Sequence, residues 1–207
     1  MRRESATVVC LTGEITGSLL AALGRSGNVS VARPPAVEDE HDDAGRGRPE
    51  SGWEPGARAM REAARRRSTF VIVPDDPLAG VAAAWSTMWE PAAGPGAPQA
   101  FEAGAAGALS AWHDKQFELP DYYLVAAPTP YSATGPDFYL GPLRAVRPRR
   151  VAVAGISAGA NAAAQAALLL DTLRSAEHGP WWPPLDELLD AVRRFYAGAL
   201  AETGAPA

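Results

Sequence analysis

The sequence predicts an α/β domain, a three-layer sandwich on a mostly parallel five-stranded sheet. Five short apolar runs, mostly separated by stretches of helical period, alternate strand with helix along the chain. Runs such as Phe70 to Val73 are continuously apolar instead of alternating, as strands covered by helices on both faces can be. At 207 residues and 47% hydrophobic the chain is long enough for one core, so a single domain over 1–207 is expected.

Ala6 to Leu11 is a β-branched run that ends at Thr12-Gly13, and Ile15, Leu19 and Leu23 then recur at helical spacing, which reads as strand, turn, helix. Gly24 to Gly27 stops the helix, and Asn28 to Ala32 is a second strand. From Pro34 to Gly56 periodicity is lost among Glu38-Asp39-Glu40-His41-Asp42-Asp43 and Gly45-Arg46-Gly47-Arg48-Pro49, which predicts a solvated, mobile insertion. Arg58 to Arg67 is arginine-rich and helical, and Ser68 to Val73 is the third strand. Leu78, Val81, Trp85, Met88 and Trp89 then fall at three- and four-residue intervals, so a helix begins there with Asp76 as N-cap and Pro77 at its first position.

Pro91 to Pro98 breaks that helix, and Gln99 to Phe117 is another helical stretch despite Gly104 and Gly107. Asp121 to Ala127 is the fourth strand and Pro128 to Pro148 a long loop. Arg149 to Ala154 is the fifth strand, and Gly155 to Gly159 leads into an Ala/Leu helix reaching Arg174. A last helix follows Pro183-Pro184, with Leu185, Leu188, Leu189, Val192, Phe195 and Ala199 on one face and Asp186 and Glu187 in its first turn.

Composition excludes several classes of function. The 19 Lys plus Arg against 24 Asp plus Glu leave a net charge of −5, without the basic excess of a nucleic-acid protein. Cys10 has no cysteine to pair with, and with His41, His113 and His178 widely spaced a four-ligand zinc site is not expected. No apolar stretch reaches the roughly 18 residues of a membrane helix, and Ala6 to Leu11 is too short for a signal peptide, so a cytoplasmic protein is expected.

In such folds ligands sit beyond the carboxyl ends of the strands, which nominates the loops at Thr12 to Ser18, Pro34 onward, Pro74 to Pro77, Pro128 to Pro142 and Gly155 to Asn161. Thr12, Gly13 and Ser18 place hydroxyls and backbone amides at a helix start, as phosphate requires, although the spacing is neither a Walker A nor a dinucleotide pattern. Asp75-Asp76 could serve a cation, a ribose or a proton transfer, or simply cap the helix. Pro128 to Tyr139 mixes hydroxyls with aromatics suited to a flat heterocycle. Gly155-Ile156-Ser157-Ala158-Gly159 matches the G-x-S-x-G elbow of serine hydrolases, but the only later histidine is His178, and it and the preceding acid Asp171 lie about one helix away.

Three of these loops together resemble the flavodoxin-like NAD(P)H-dependent FMN reductases. Thr12 to Ser18 is similar to that family's phosphate loop, Ala127-Pro128-Thr129-Pro130-Tyr131 to its Pro-x-Tyr loop, and Val153 to Gly159 to its Ser/Gly loop. The resemblance implies a flavodoxin-like or Rossmann-like fold with FMN as cofactor. Thr12, Gly13 and Ser18 would hold phosphate, Thr129 and Tyr131 would flank the ring, and Ser157 and Gly159 would meet its edge. The chain departs from the family at Glu14, in a shortened first loop and in the extra elements between Ser68 and Phe117. Two other readings stay open: a non-catalytic interaction module with Trp85, Trp89, Trp181 and Trp182 on a homo-oligomer face, and a hydrolase using Ser157.

Overall fold

The computed structural model describes residues 6–32, 54–63, 65, 68–90, 92–129, 136–157 and 159–203. Five parallel strands form one sheet in the order β2-β3-β1-β4-β5: β1 Thr7–Gly13, β2 Val29–Val31, β3 Phe70–Val73, β4 Tyr122–Pro128 and β5 Val151–Ile156. The helices are α1 Gly17–Gly24, α2 Glu54–Ala63, α3 Ala79–Met88, α4 Ala97–His113, α5 Arg144–Val146, α6 Ala162–Arg174 and α7 Leu185–Thr203, with a π-helical turn at Tyr139–Leu143. The three-layer parallel architecture is therefore present. Its strand order is neither the 3-2-1-4-5 nor the 2-1-3-4-5 arrangement of the common doubly wound folds, because β3 lies between β2 and β1.

Strand periodicity divides the core. Val9, Leu11, Ile72, Leu124, Ala126, Ala154 and Ile156 pack toward α1 and α6. Their sequence neighbours Cys10, Tyr123, Val125 and Ala127 pack toward α3, α4, α7 and the π-turn, and Val71 and Val73 pack under α2 on that same side. From β1 to β2 the chain moves one way across the sheet with α1 on one face. The later crossovers move the other way with their helices on the opposite face, as right-handed connections require.

Several elements differ from the expectations. Residues 33–53 lie outside the described residues, but Glu54–Gly56, assigned to the insertion, already belong to α2. Gly56 lies against the turn after β3, where a Cβ would come within 2.2 Å of the Pro77 nitrogen. The long loop after β4 contains helical structure, since Leu143 N–H reaches the Phe138 carbonyl at 3.0 Å around Gly141-Pro142. The helix after β3 starts at Ala79; Asp76 still caps the preceding turn through Leu78 N–H at 3.0 Å. Gly155 and Ile156 extend β5 instead of opening a turn. Trp85, four residues from Trp89 at a spacing that suits either the core or an oligomer face, belongs to the core, fully buried among Trp89, Phe101, Phe138, Phe195 and Tyr196. Trp182 is also buried and donates to the Pro120 carbonyl at 2.7 Å. The last helix buries Leu185, Leu188, Leu189 and Val192, as its stripe predicts. Among the described residues no helix is long and apolar enough to cross a membrane.

Candidate functional site

The connection leaving β1 goes to one face of the sheet, while those leaving β3 and β4 go to the other. A crevice between neighbouring strand ends follows from that divergence. One of about 250 Å³ lies there, lined by Gly13, Ala82, Ala83, Ser86, Val125, Asp137, Phe138 and Tyr139. Gly13 closes β1 with φ +91°, a left-handed conformation that glycine adopts without a Cβ penalty. A Cβ there would also lie 2.3 Å from the Ala126 carbonyl oxygen of β4, so the backbone approach at this edge requires glycine.

Beneath the crevice lies a buried polar network centred on Asp76. Its Oδ1 accepts from Leu78 N–H and from the Tyr123 hydroxyl, both at 3.0 Å, and its Oδ2 accepts from the Tyr139 hydroxyl at 2.7 Å. Burial pushes the Asp76 pKa up, and these hydrogen bonds, with one from the Cys10 thiol, oppose the rise. Burial, reinforced by the Asp76 charge, pushes the Tyr123, Tyr139 and Cys10 pKa values well up. These three therefore remain protonated and serve as donors. Asp137 Oδ1 accepts from Tyr139 and Leu140 N–H, both at 2.9 Å, which fixes the start of the π-turn and hence the Tyr139 ring. Ser86 donates across the crevice mouth to the Pro136 carbonyl at 3.1 Å.

On the opposite face of the same edge, α1 and α6 begin and pack together. Thr16 caps α1 by accepting from Leu19 N–H at 3.2 Å, and Ser18 lies 3.0 Å from the Thr16 hydroxyl. Asn161 caps α6 through Ala164 N–H at 2.9 Å. Ser18, Thr129, Ser157 and Gly159 are exposed along this edge, Gly159 at φ +89°. Because β1, β4 and β5 are adjacent, the loops bearing these residues lie side by side.

Thr12 departs from its expected place. Alternation from Leu11 turns it toward the α3 side, it is 5% exposed, and its hydroxyl has no partner among the described residues. Thr12 and Ser18 therefore do not converge on one phosphate; the hydroxyl beside Ser18 is that of Thr16. Tyr131 lies outside the described residues. Asp75 is half-buried beside Asp76.

The hydrolase constellation is not assembled. His178 Nδ1 lies 2.9 Å from the Tyr122 hydroxyl at the amino end of β4, whereas Ser157 follows the carboxyl end of β5. The length of a six-residue strand, about 20 Å, separates them. Four residues, 158–161, separate Ser157 from the start of α6 at Ala162, so the tight strand-nucleophile-helix turn of the elbow is not formed.

The sequence nominates Pro128 to Tyr139 for a ring but does not point to Tyr139, Tyr123 and Cys10 as partners of Asp76, nor to Asp137 as the anchor of the π-turn. Period two in β1 and β4 gives Cys10 and Tyr123 a common face, but nothing local points Tyr139 at Asp76, 63 residues earlier. At the amino edge an open groove of about 730 Å³ is lined by Trp112, Phe117, Trp181 and Pro184 among others, with Trp181 48% exposed. Among the described residues no cluster of His, Cys, Asp and Glu could hold a metal ion. No protein-family model, curated protein or solved structure matches the chain.

Proposed function

We propose that this chain binds a small phosphorylated heterocycle across the carboxyl ends of β1, β4 and β5. The observation that carries the reading is the adjacency of these strands at a switch point. It sets the crevice beside Tyr139 on one face and two capped helix starts on the other. Hydroxyls at Thr16, Ser18 and Ser157 and first-turn amides suit a phosphate, while Val125, Phe138 and the two alanines suit a ring.

FMN is the specific candidate, and the residues fit it at one end. The exposed hydroxyls near the helix starts match its phosphate. The crevice matches the flavin edge poorly, since that edge presents two carbonyl acceptors around one N–H while Asp137 is an acceptor and Tyr139, which donates its proton to Asp76, has only its oxygen lone pairs to offer. Bound flavin would supply hydride transfer with NAD(P)H.

Titration with FMN, read by quenching of flavin fluorescence, and with AMP, read by calorimetry, tests the reading. Saturable binding of either is expected. Ser18→Asp puts a carboxylate at an exposed helix start, where it favours the helix dipole but repels phosphate, and should weaken binding roughly tenfold without loss of stability. Absence of binding by both nucleotides, or equal binding by the variant, overturns the proposal.

A partner-binding role is favoured by a separate observation, the exposed Trp181 beside the amino-edge groove. Trp181 is held by Arg147 Nε on its carbonyl at 2.8 Å and by the Arg150 guanidinium 4.8 Å from its ring centroid. Sedimentation of the wild type and Trp181→Ala tests whether this face joins copies of the chain. A monomer at all concentrations would remove the homo-oligomer form of this reading.

A further inference from the structure

The polar side chains lining the crevice share one feature: none of them has a proton left to offer it. Tyr139 gives its hydroxyl proton to Asp76 Oδ2 at 2.7 Å, leaving its oxygen as an acceptor. That direction is set by the surroundings of Asp76. Leu78 N–H and the Tyr123 hydroxyl already converge on Oδ1, and an ionised carboxylate accepts from all three donors at once. Ser86 gives its proton to the Pro136 carbonyl. Asp137 has an acceptor-only carboxylate whose Oδ1 is oriented by two backbone amides. No Lys, Arg or His stands among the described lining residues, and 130–135, which precede Pro136, contribute none by sequence.

We infer that the crevice recognises a donor-bearing cationic edge, an amidinium or guanidinium group or a protonated aminoheterocycle, in preference to an anionic or carbonyl-bearing edge. The inference rests on the crevice being the ring end of the proposed ligand site, and it names the chemistry of the ring that enters. At about 250 Å³ the space lies below the roughly 300–1,000 Å³ of pockets for drug-sized ligands, so it suits a single ring. Ala82, Ala83, Val125 and Phe138 supply apolar walls for such a ring. A planar N–C–N group would place N–H donors toward Tyr139 and Asp137. Two negative charges, one in the wall and one beneath it, favour the cation by an amount that water screens weakly inside a crevice.

Three isosteric probes separate the alternatives: benzamidinium, benzamide and benzoate, titrated at constant ionic strength above the raised Asp76 pKa and followed by backbone amide chemical shifts. Benzamidinium is expected to give saturable shifts at Gly13, Ser86, Val125 and Tyr139, at least tenfold tighter than benzamide, with no saturation by benzoate. Asp76→Asn keeps an oxygen for Leu78 N–H and Tyr123 but turns an amide N–H toward Tyr139. The phenol then accepts, its proton swings to the crevice, and the preference for benzamidinium over benzoate should fall at least tenfold. Should Asp76→Asn not fold, Asp137→Asn reads the same loss, because its Oδ1 retains both backbone bonds. Benzoate binding as tightly as benzamidinium, or no saturable shifts at the crevice with any probe, would overturn the inference. Benzamidinium binding without nucleotide binding removes the phosphorylated-heterocycle reading alone. Nucleotide binding with benzoate preferred removes this inference alone.

Discussion

Replacing Asp76 tests whether the buried network holds the carboxyl edge together. Asp76→Ala strands the Leu78 amide and the Tyr123 hydroxyl, while Tyr139, at the crevice wall, can turn to solvent. Two buried donors left unpaired cost about 1–3 kcal/mol each, so a loss of about 3 kcal/mol is expected after relief of the carboxylate's own desolvation. Asp76→Asn retains an acceptor for both donors and should cost about 1 kcal/mol. The pH dependence has a definite sign. Burial raises the folded pKa of Asp76 above the unfolded value of about 3.9, so its contribution is fully present below that value and is lost as pH rises through the folded pKa. The stability gap between wild type and Asp76→Asn should therefore move in the variant's favour as pH rises above about 4. Urea unfolding followed by tryptophan fluorescence at several pH values measures both effects. An Asp76→Ala protein within about 1 kcal/mol of wild type, or a gap moving toward wild type with rising pH, would refute the reasoning.

Trp85→Ala should cost about 3–5 kcal/mol in unfolding free energy, because the ring is fully buried among five aromatic neighbours; an unchanged midpoint would contradict that core. Gly13→Ala combines a left-handed φ with a Cβ 2.3 Å from a backbone oxygen, so about 2 kcal/mol or more should be lost, with crevice amide shifts perturbed; a neutral result would mean β1 and β4 can separate at low cost. Arg150 is 8% exposed and donates to the carbonyls of Asp121, Gly179 and Pro180 between the rings of Tyr122 and Trp181. Lysine cannot reproduce that planar fork, so Arg150→Lys should lower stability by about 2 kcal/mol, and thermal unfolding equal to wild type would show the fork to be dispensable.

Strand and helix order were legible in the sequence because both depend on local period. The continuous apolar runs at Phe70 to Val73 and Tyr122 to Ala127 are strands, and the stripe from Leu185 to Val192 is the buried face of α7. Boundaries were less legible. Gly155 and Ile156 read as a turn because glycine follows a β-branched run, yet pairing with Ala127 and Pro128 carries the strand through them. The helical turn at Tyr139–Leu143 was hidden by Gly141 and Pro142, which locally disfavour helix but are accommodated by a widened π-turn anchored on Asp137.

For the site, the sequence by itself determined the chemical inventory and the edge: hydroxyls, glycines and acids follow strands, and parallel strands put those residues at one end of the sheet. Tertiary structure alone decided which of them meet. The local alternation of β1 already turns Thr12 away from Ser18, but strand order brought the loops after β1, β4 and β5 together. It also kept His178 a strand length from Ser157 and aimed Tyr139 at Asp76 across 63 residues of chain. The physical reason is one of range. Period, capping and turn chemistry act over a few residues and are written locally, whereas partners across a sheet are chosen by the packing of whole layers, which leaves no mark at either residue alone.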